Sequence, residues 1–180
     1  MKKILALIFI VVCVGCIPEK GRMQAYYDSN SGVCQSSISL GKIDTENFGG
    51  FTQRLTALFI KSKDVDNRIT YAFQFDIEDD NATTQIVEDN CPIIMVIKGE
   101  RLDFRPLGMR REYFRGKVRV ESFQISPFSD QNIRDMFGEK EVKFKIYAQD
   151  CPIIGTLNKW QFAEMKKIYS EKKTKRGKEV

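Results

Sequence analysis

The stretch RITYAFQFDIEDDN, residues 68–81, decides the fold class because apolar and polar residues alternate along it. Its apolar positions are Ile69, Tyr71, Phe73, Phe75 and Ile77. Successive side chains of a β-strand point to opposite faces, so a period of two residues places this apolar set on one face. The other face carries polar residues. We therefore expect a half-buried strand of the kind found in antiparallel sheets.

Three further segments carry a strand pattern. Residues 93–97 are continuously apolar, which favours a central strand. Residues 117–125 and 142–147 alternate, although the first of these slips near Ser122. Their alternating apolar positions are Val118, Val120, Val142, Phe144 and Ile146. The chain is therefore expected to be rich in strands.

Two segments carry a helical pattern instead. Residues 129–137 place Ile133, Met136 and Phe137 on one face, and Gly138 follows where a C-cap glycine is common. This segment predicts a short helix between two of the strands.

A longer helix is predicted from about residue 159 to 172. Asn158 can cap its N-terminus, and Gln161 completes a capping-box pattern three residues later. Its apolar face comprises Trp160, Phe162, Ala163, Met165, Ile168 and Tyr169. Such a face packs on a sheet, so we expect an α+β fold. It would be a mainly antiparallel β-sheet with a short helix and a C-terminal amphipathic helix packed on the sheet.

The N-terminus has the pattern of a targeting segment. Lys2 and Lys3 precede an unbroken apolar run over residues 4–12. The run is too short to cross a hydrocarbon core, which takes about 20 residues. A basic start, a short apolar middle and small residues at the end are the features of a secretory signal.

The next residues indicate which kind of signal this is. The sequence CVGCIPEK, residues 13–20, resembles in its first four residues the lipobox of bacterial lipoproteins, where a small residue precedes an obligatory cysteine. Cys13 stands where that family prefers leucine. The resemblance implies cleavage between Gly15 and Cys16 and a membrane anchor of lipid, including palmitate, on Cys16. Because Ile17 replaces the aspartate that retains such proteins at the inner membrane, it also implies the outer membrane, facing the periplasm.

These patterns predict the organisation of the chain. Residues 1–15 would be the signal peptide, 16–32 a lipidated N-terminus with a flexible tether, and 33–170 a single α+β domain. Residues 171–180 are charged and nearly devoid of apolar side chains, which predicts a disordered basic tail. The domain could also consist of two related halves that meet near residues 91–105.

The cysteines point to a disulfide and not to a metal site. With Cys16 lipidated and Cys13 removed, Cys34, Cys91 and Cys151 remain, and three pairings are open. We favour Cys91–Cys151, because each begins a Cys-Pro-Ile-Ile tetrapeptide after a polar turn; the repeat is also the basis for the two related halves. An exported protein can retain disulfides. The chain has no histidine to complete a zinc site, so no metal site or cofactor is expected.

Charge is distributed unevenly along the chain. Residues 64–90 hold eight acidic residues and one basic one, whereas residues 105–119 hold six basic residues and one acidic one. The arginines of the basic stretch are Arg105, Arg110, Arg111, Arg115 and Arg119. They could bind an anionic envelope surface or an acidic envelope protein, or they could pair with the acidic segment in a solvated hairpin. Nucleic acid is not expected as a partner, because the protein would be exported.

The sequence contains no signature of catalysis. Without histidine there is no Ser-His or Cys-His arrangement, and no glycine-rich phosphate loop is present. We therefore expect no catalytic residues. The predicted function is a lipid-anchored cell-envelope protein with a non-catalytic binding or structural role toward another envelope component. The alternatives are a carboxylate-based envelope hydrolase and a small-ligand-binding lipoprotein.

Overall fold

The structure is a computed structural model that describes residues 21–29, 31–46, 53–79, 87, 92–115, 117–148 and 152–170. Within these residues the chain forms eleven strands and two helices. In chain order they are β1 (Met23–Asp28), β2 (Val33–Lys42), β3 (Asp44–Glu46), β4 (Gln53–Lys63), β5 (Ile69–Asp79), β6 (Ile93–Ile97), β7 (Glu100–Phe104), β8 (Leu107–Phe114), β9 (Lys117–Phe128), α1 (Asp130–Gly138), β10 (Glu141–Ile146), β11 (Ile153–Asn158) and α2 (Lys159–Tyr169).

The strands form two antiparallel sheets. The first has six strands in the order β1-β2-β4-β5-β9-β8, and the second has five in the order β3-β11-β10-β6-β7. Every pairing described within them is antiparallel. With two helices added, the predicted α+β class with mainly antiparallel sheet is confirmed.

The strand predicted from the opening stretch is β5, and it lies inside the first sheet between β4 and β9. Tyr71, Phe73, Phe75 and Ile77 are buried, as the alternation predicts. Ile69 is exposed, because it begins the strand at the rim of the sheet. The apolar face of β5 therefore supplies the centre of the core.

The other three predicted strands are β6, β9 and β10. β6 is an interior strand between β10 and β7, as expected. One of its faces is solvated at Val96, which is exposed while its neighbours Met95 and Ile97 are buried. The continuous apolar run thus covers a strand with one solvated face.

The two sheets meet through aromatic side chains. The rings of Phe75 on β5 and Phe144 on β10 lie 4.8 Å apart between centroids, and those of Phe104 and Phe128 lie 4.4 Å apart. Aromatic pairs at these separations add to the apolar area that the sheets bury against each other.

Gly155 on β11 creates the space for this contact. It lies directly opposite Phe144 in the β10–β11 pairing, and it is buried. A Cβ atom placed on Gly155 would lie 2.2 Å from Cζ of the Phe144 ring. The ring therefore lies over the bare backbone of Gly155, which fixes its position against Phe75.

Both helices begin with reciprocal caps. Ser129 accepts a hydrogen bond from the backbone N–H of Asn132, whose side-chain oxygen accepts one from the backbone N–H of Ser129. Asn158 and Gln161 form the equivalent pair at α2, as predicted. Such capping boxes satisfy backbone donors that a helix N-terminus leaves without partners.

The C-terminus of α2 is held by the first sheet. Lys61 on β4 donates from Nζ to the carbonyl oxygens of Ile168 and Tyr169 at 2.9 and 3.2 Å. A cation at this end of a helix satisfies free carbonyls and complements the helix dipole. The predicted packing of a C-terminal helix on the sheet agrees with the contacts of α2 with β2, β4 and β11.

Two details of the predicted helices are wrong. Gly138 is the last residue of α1, and the extended Glu139 is the C-cap, so Gly138 does not cap the helix. Trp160 is not part of the buried face of α2 but is 62% exposed. Gln161 is buried instead, because its amide caps the helix and reaches the carbonyl oxygen of Lys42.

The predicted tether is shorter than expected. Residues 16–32 were expected to be flexible, but Met23–Asp28 form β1 and pair along their whole length with β2. The prediction is wrong for these residues. Their mostly polar composition suggested a tether, but the segment, which includes two tyrosines, pairs as an additional strand with β2. Residues 16–20 and the predicted signal peptide lie outside the described residues, as does the predicted basic tail at residues 171–180.

Gly155→Ala should destabilise the protein by about 1–3 kcal/mol, because the new methyl group would push the Phe144 ring out of its place in the core. The matched control is Gly138→Ala in α1, where an added Cβ would meet only Lys98 Cε at 3.8 Å. That variant should be as stable as the parent or slightly more stable. Urea unfolding measures both, and equal stabilities for the two variants would contradict this account of Gly155.

Candidate functional site: the edge strand β8

The basic stretch predicted as a binding surface forms one edge of the first sheet. β8 pairs with β9 along one side and has no second neighbour in the described strand order. Arg105 and Pro106 connect it to β7 of the second sheet. At its other end Phe114 pairs with Lys117, so the chain reverses direction between these two residues. Arg115 has a left-handed φ of 51°, as a tight hairpin turn requires.

Aromatic and cationic side chains are exposed together at this end of β8. Tyr113 is 65% exposed and Phe114 is 49% exposed. The guanidinium carbon of Arg115 lies 5.2 Å from the centroid of the Phe114 ring, within range of a cation–π contact. Arg110, three residues before Tyr113 on the same strand, is also exposed. We refer to Arg110, Tyr113, Phe114 and Arg115 as the β8 edge patch.

Arg111 does not belong to this patch. It lies opposite Glu121 of β9 in the register, and its Nε donates to Glu121 Oε1 at 2.9 Å. The Arg111 side chain is only 17% exposed, and that of Glu121 is fully buried. The prediction that Arg111 is an exposed partner contact is therefore wrong. Since neighbouring residues of a strand face opposite ways, the inward Arg111 leaves Arg110 pointing to solvent.

The Arg111–Glu121 pair also holds a distant part of the chain. Glu121 Oε2 accepts the backbone N–H of Val87 at 2.7 Å, and Arg111 donates from a terminal nitrogen to the carbonyl oxygen of Val87 at 3.0 Å. Val87 also bridges to Ala148 beside the second sheet. One alternative for the basic stretch was pairing of its arginines with the acidic segment, residues 64–90. Arg111 does contact that segment, but through the backbone carbonyl of Val87 and not through an acidic side chain.

Sequence reasoning missed the role of Glu121, although a signal was present. Positions 121, 123 and 125 share one face of β9, and Phe123 and Ile125 are buried. An acidic residue on an apolar face requires a cationic partner, because an unpaired buried charge is strongly unfavourable. The break in the apolar–polar alternation near Ser122 is the sequence signal of Glu121 on the apolar face.

The remaining predicted site residues are dispersed. Arg105 is exposed, but it precedes β8 and lies at the opposite end of the strand from Arg115. Arg119 lies in β9, and its side chain is outside the description. Gly15 and Cys16 are outside the described residues. Cys34 is an exposed free cysteine on β2.

Cys91 and Cys151 also lie outside the described residues, but the strands that follow them are informative. Ile93 and Ile153, at equivalent positions of the two Cys-Pro-Ile-Ile copies, both pair with Ile146 of β10, from opposite sides. The isoleucines of the two copies therefore begin the two strands that flank β10 in a single sheet. The two related halves stay a prediction. The Cys91–Cys151 disulfide stays a prediction.

A polar cluster of Tyr71, Asp130, Arg134 and Tyr169 joins the two helices to β5 of the first sheet. Tyr71 donates from its hydroxyl to Asp130 Oδ1 at 3.2 Å, and Asp130 also pairs with Arg134 at 2.6 Å. Burial, followed by the adjacent Asp130 carboxylate, raises the pKa of Tyr71 and that of Tyr169 above the ordinary tyrosine value. The Tyr71 phenol keeps its proton and acts as a structural donor to Asp130.

The chain matches no family model, no curated protein and no solved structure. Neither α1 nor α2, the two helices of the described residues, is long and apolar enough to cross a membrane. No group of metal-binding side chains occurs in the part of the chain that the structure describes.

Glu121→Ala should destabilise the protein by about 3–5 kcal/mol, because it leaves Arg111 buried without its counter-charge and removes the acceptor of the Val87 N–H. The double variant Arg111→Met/Glu121→Leu should lose less stability than Glu121→Ala, since no uncompensated charge remains. Chemical unfolding measures these losses.

The control for this prediction is Asp103→Ala, which removes an exposed ion pair with Arg101 and should change stability little. A loss no larger for Glu121→Ala than for Asp103→Ala would contradict a structural role for the buried pair.

Proposed function

We propose that this protein is a lipid-anchored cell-envelope protein that binds an anionic component of the envelope through the β8 edge patch. The observation that supports the proposal is the exposure of two arginines and two aromatic rings on or directly after a strand that has no second neighbour among the described strands. Surface aromatic and arginine side chains are enriched at the centres of protein interfaces. The proposed role is non-catalytic.

The edge geometry favours a particular mode of binding. An edge strand presents free backbone N–H and C=O groups, and a partner segment can add to the sheet by pairing with them. Arg110 and Arg115 would then select a partner with carboxylates or other anionic groups, while Tyr113 and Phe114 supply apolar contact area. Glu112 lies between them and is exposed, so it disfavours partners that are acidic along their whole length.

The hydrolase alternative gains no support from the buried carboxylate. Glu121 is the one fully buried acidic residue among those described, and both of its oxygens accept hydrogen bonds from protein groups. A general acid or nucleophile must be able to reach a substrate. Glu121 is therefore a structural residue, and no second function is proposed.

Replacing Tyr113 with a photoreactive residue in the full chain should give a crosslinked partner in intact cells. Arg110→Gln with Arg115→Asn should reduce that adduct several-fold, because the charges that select the partner are gone; Asn suits the left-handed backbone at residue 115. Added salt should reduce the adduct of the parent protein in isolated membranes.

Arg68→Gln is the matched control, since Arg68 is exposed at the β4–β5 turn, away from β8. It should leave the adduct unchanged. An adduct that survives the loss of both arginines, or that appears equally when the photoreactive residue replaces Tyr26 on β1, would argue against the β8 edge patch as the binding surface.

The anchor is tested separately from the patch. Metabolic labelling with palmitate should mark the full chain, and Cys16→Ala should abolish the label because the acceptor thiol is lost. Cys34→Ala controls for nonspecific acylation of an exposed thiol and should retain the label. Labelling that persists without Cys16 would defeat the lipoprotein proposal and leave the β8 binding proposal standing.

A further inference from the structure

The helix α2 packs on the core with one face, and its opposite face is exposed and basic. Its exposed residues are Lys159, Trp160, Ala163, Lys166 and Lys167. Its buried residues are Gln161, Phe162, Met165 and Ile168. At about 100° per residue the exposed set occupies one arc and the buried set the opposite arc. The helix therefore presents a continuous outer face with an indole ring and three ammonium groups.

The N-terminal segment enters the described structure beside this face. The backbone N–H of Gly21 donates to the carbonyl oxygen of Ser39 at 3.0 Å, which fixes Gly21 at the start of the β1–β2 pairing. A Cβ placed on Gly21 would lie 3.0 Å from Glu164 Oε2 and 3.6 Å from Lys167 Nζ of α2. An anchor that precedes Gly21 would therefore attach to the domain on the side that carries α2.

The length of chain between the proposed lipid and Gly21 is short. Five residue steps separate Cys16 from Gly21. An extended chain advances at most about 3.6 Å per residue, so these two residues lie within about 18 Å of each other. This reach is close to the length of α2, about 16 Å for its eleven residues. A lipid on Cys16 would therefore keep α2 within reach of the membrane surface.

We infer that the exposed face of α2 lies against an anionic phospholipid bilayer. The inference rests on the lipid anchor of the proposed function and adds a second contact to it. Trp160 suits the headgroup region, where indole rings are enriched, and Lys159 and Lys166 suit anionic headgroups. Residues 159–170 hold three cations and one anion, and because Lys167 pairs with Glu164 the segment keeps a net charge of +2 from Lys159 and Lys166. Five further lysines and arginines against two glutamates follow in residues 171–180.

The anchor and the α2 contact together explain how such a domain is oriented. An anchor alone would leave the domain free to rotate about its tether. Contact through α2 would fix the first sheet with its β1 edge toward the membrane and its β8 edge, on the opposite side of the strand order, away from it.

The test uses the fluorescence of Trp160, which is the one tryptophan of the chain. The mature protein, purified from membranes, is reconstituted into vesicles of phosphatidylcholine alone and into vesicles that also contain phosphatidylglycerol. With phosphatidylglycerol, the Trp160 emission should move to shorter wavelength, and lipids with brominated acyl chains should quench it. Lys159→Gln with Lys166→Gln should reverse both changes.

The matched control is Lys98→Gln with Lys143→Gln, which removes the same charge from exposed ion pairs of the second sheet. This control should behave as the parent. Emission that is the same in both kinds of vesicle, or quenching that ignores the loss of Lys159 and Lys166, would overturn the inference and would leave an acidic protein as the occupant of this face.

Flotation of the same samples separates this inference from the anchor. A protein that floats with phosphatidylcholine vesicles but shows no change at Trp160 has the lipid anchor and lacks the α2 contact. A protein that fails to float with phosphatidylcholine lacks the anchor. In that case quenching of Trp160 with phosphatidylglycerol still decides whether the α2 face binds the bilayer by itself.

Discussion

The contact of Phe144 with Phe75 over the bare backbone of Gly155 holds the two sheets together. An antiparallel sheet with one apolar face must bury that face against another layer. Here β5 provides the apolar face of the first sheet, and β10 provides the ring that fills the space between the layers. The ring can approach β5 only because its cross-strand neighbour on β11 has no side chain. The positions of β6, β11 and α2 follow from this contact, since β6 and β11 pair with β10 and α2 continues directly from β11.

The buried pair of Arg111 and Glu121 solves a different problem, which is the attachment of Val87. That residue must approach β8 and β9, and its backbone N–H and C=O groups need partners once they are removed from water. Glu121 accepts from the N–H, Arg111 donates to the carbonyl, and the two side chains neutralise each other. Such a pair adds little net stability over an apolar replacement, but losing one partner is costly. With Arg111 held inward, the adjacent Arg110 faces outward into the candidate site.

The sequence predicted several parts of the fold in which a single periodicity dominates, although β4, whose buried Leu55, Ala57 and Phe59 also alternate, was not among them. β5, β9, β10, α1 and the cap of α2 are visible in it because burial on one face imposes a strict repeat. β1 was missed because all but one of its six residues are exposed, so the repeat carries no apolar signal. The arginines indicated the basic stretch as a candidate surface, but the sequence alone did not reveal that Arg111 faces inward to Glu121. Which arginine faces inward depends on the register of β8 against β9, and that register is set by tertiary contacts.

The order of strands in the first sheet connects the proposed anchor and the proposed binding surface. β1, which follows the predicted lipid site, and β8, which carries the patch, are the two outer strands, with four strands between them. At about 4.8 Å per strand, the two edges lie about 24 Å apart measured along the sheet. A partner that pairs with β8 would therefore be held within one domain width of the membrane, and it would meet an edge that the bilayer does not cover. An edge strand left open in this way invites indiscriminate pairing. Arg110 and Arg115 limit that risk, because their charge repels cationic segments and the self-association of two such edges, while it still admits an anionic partner.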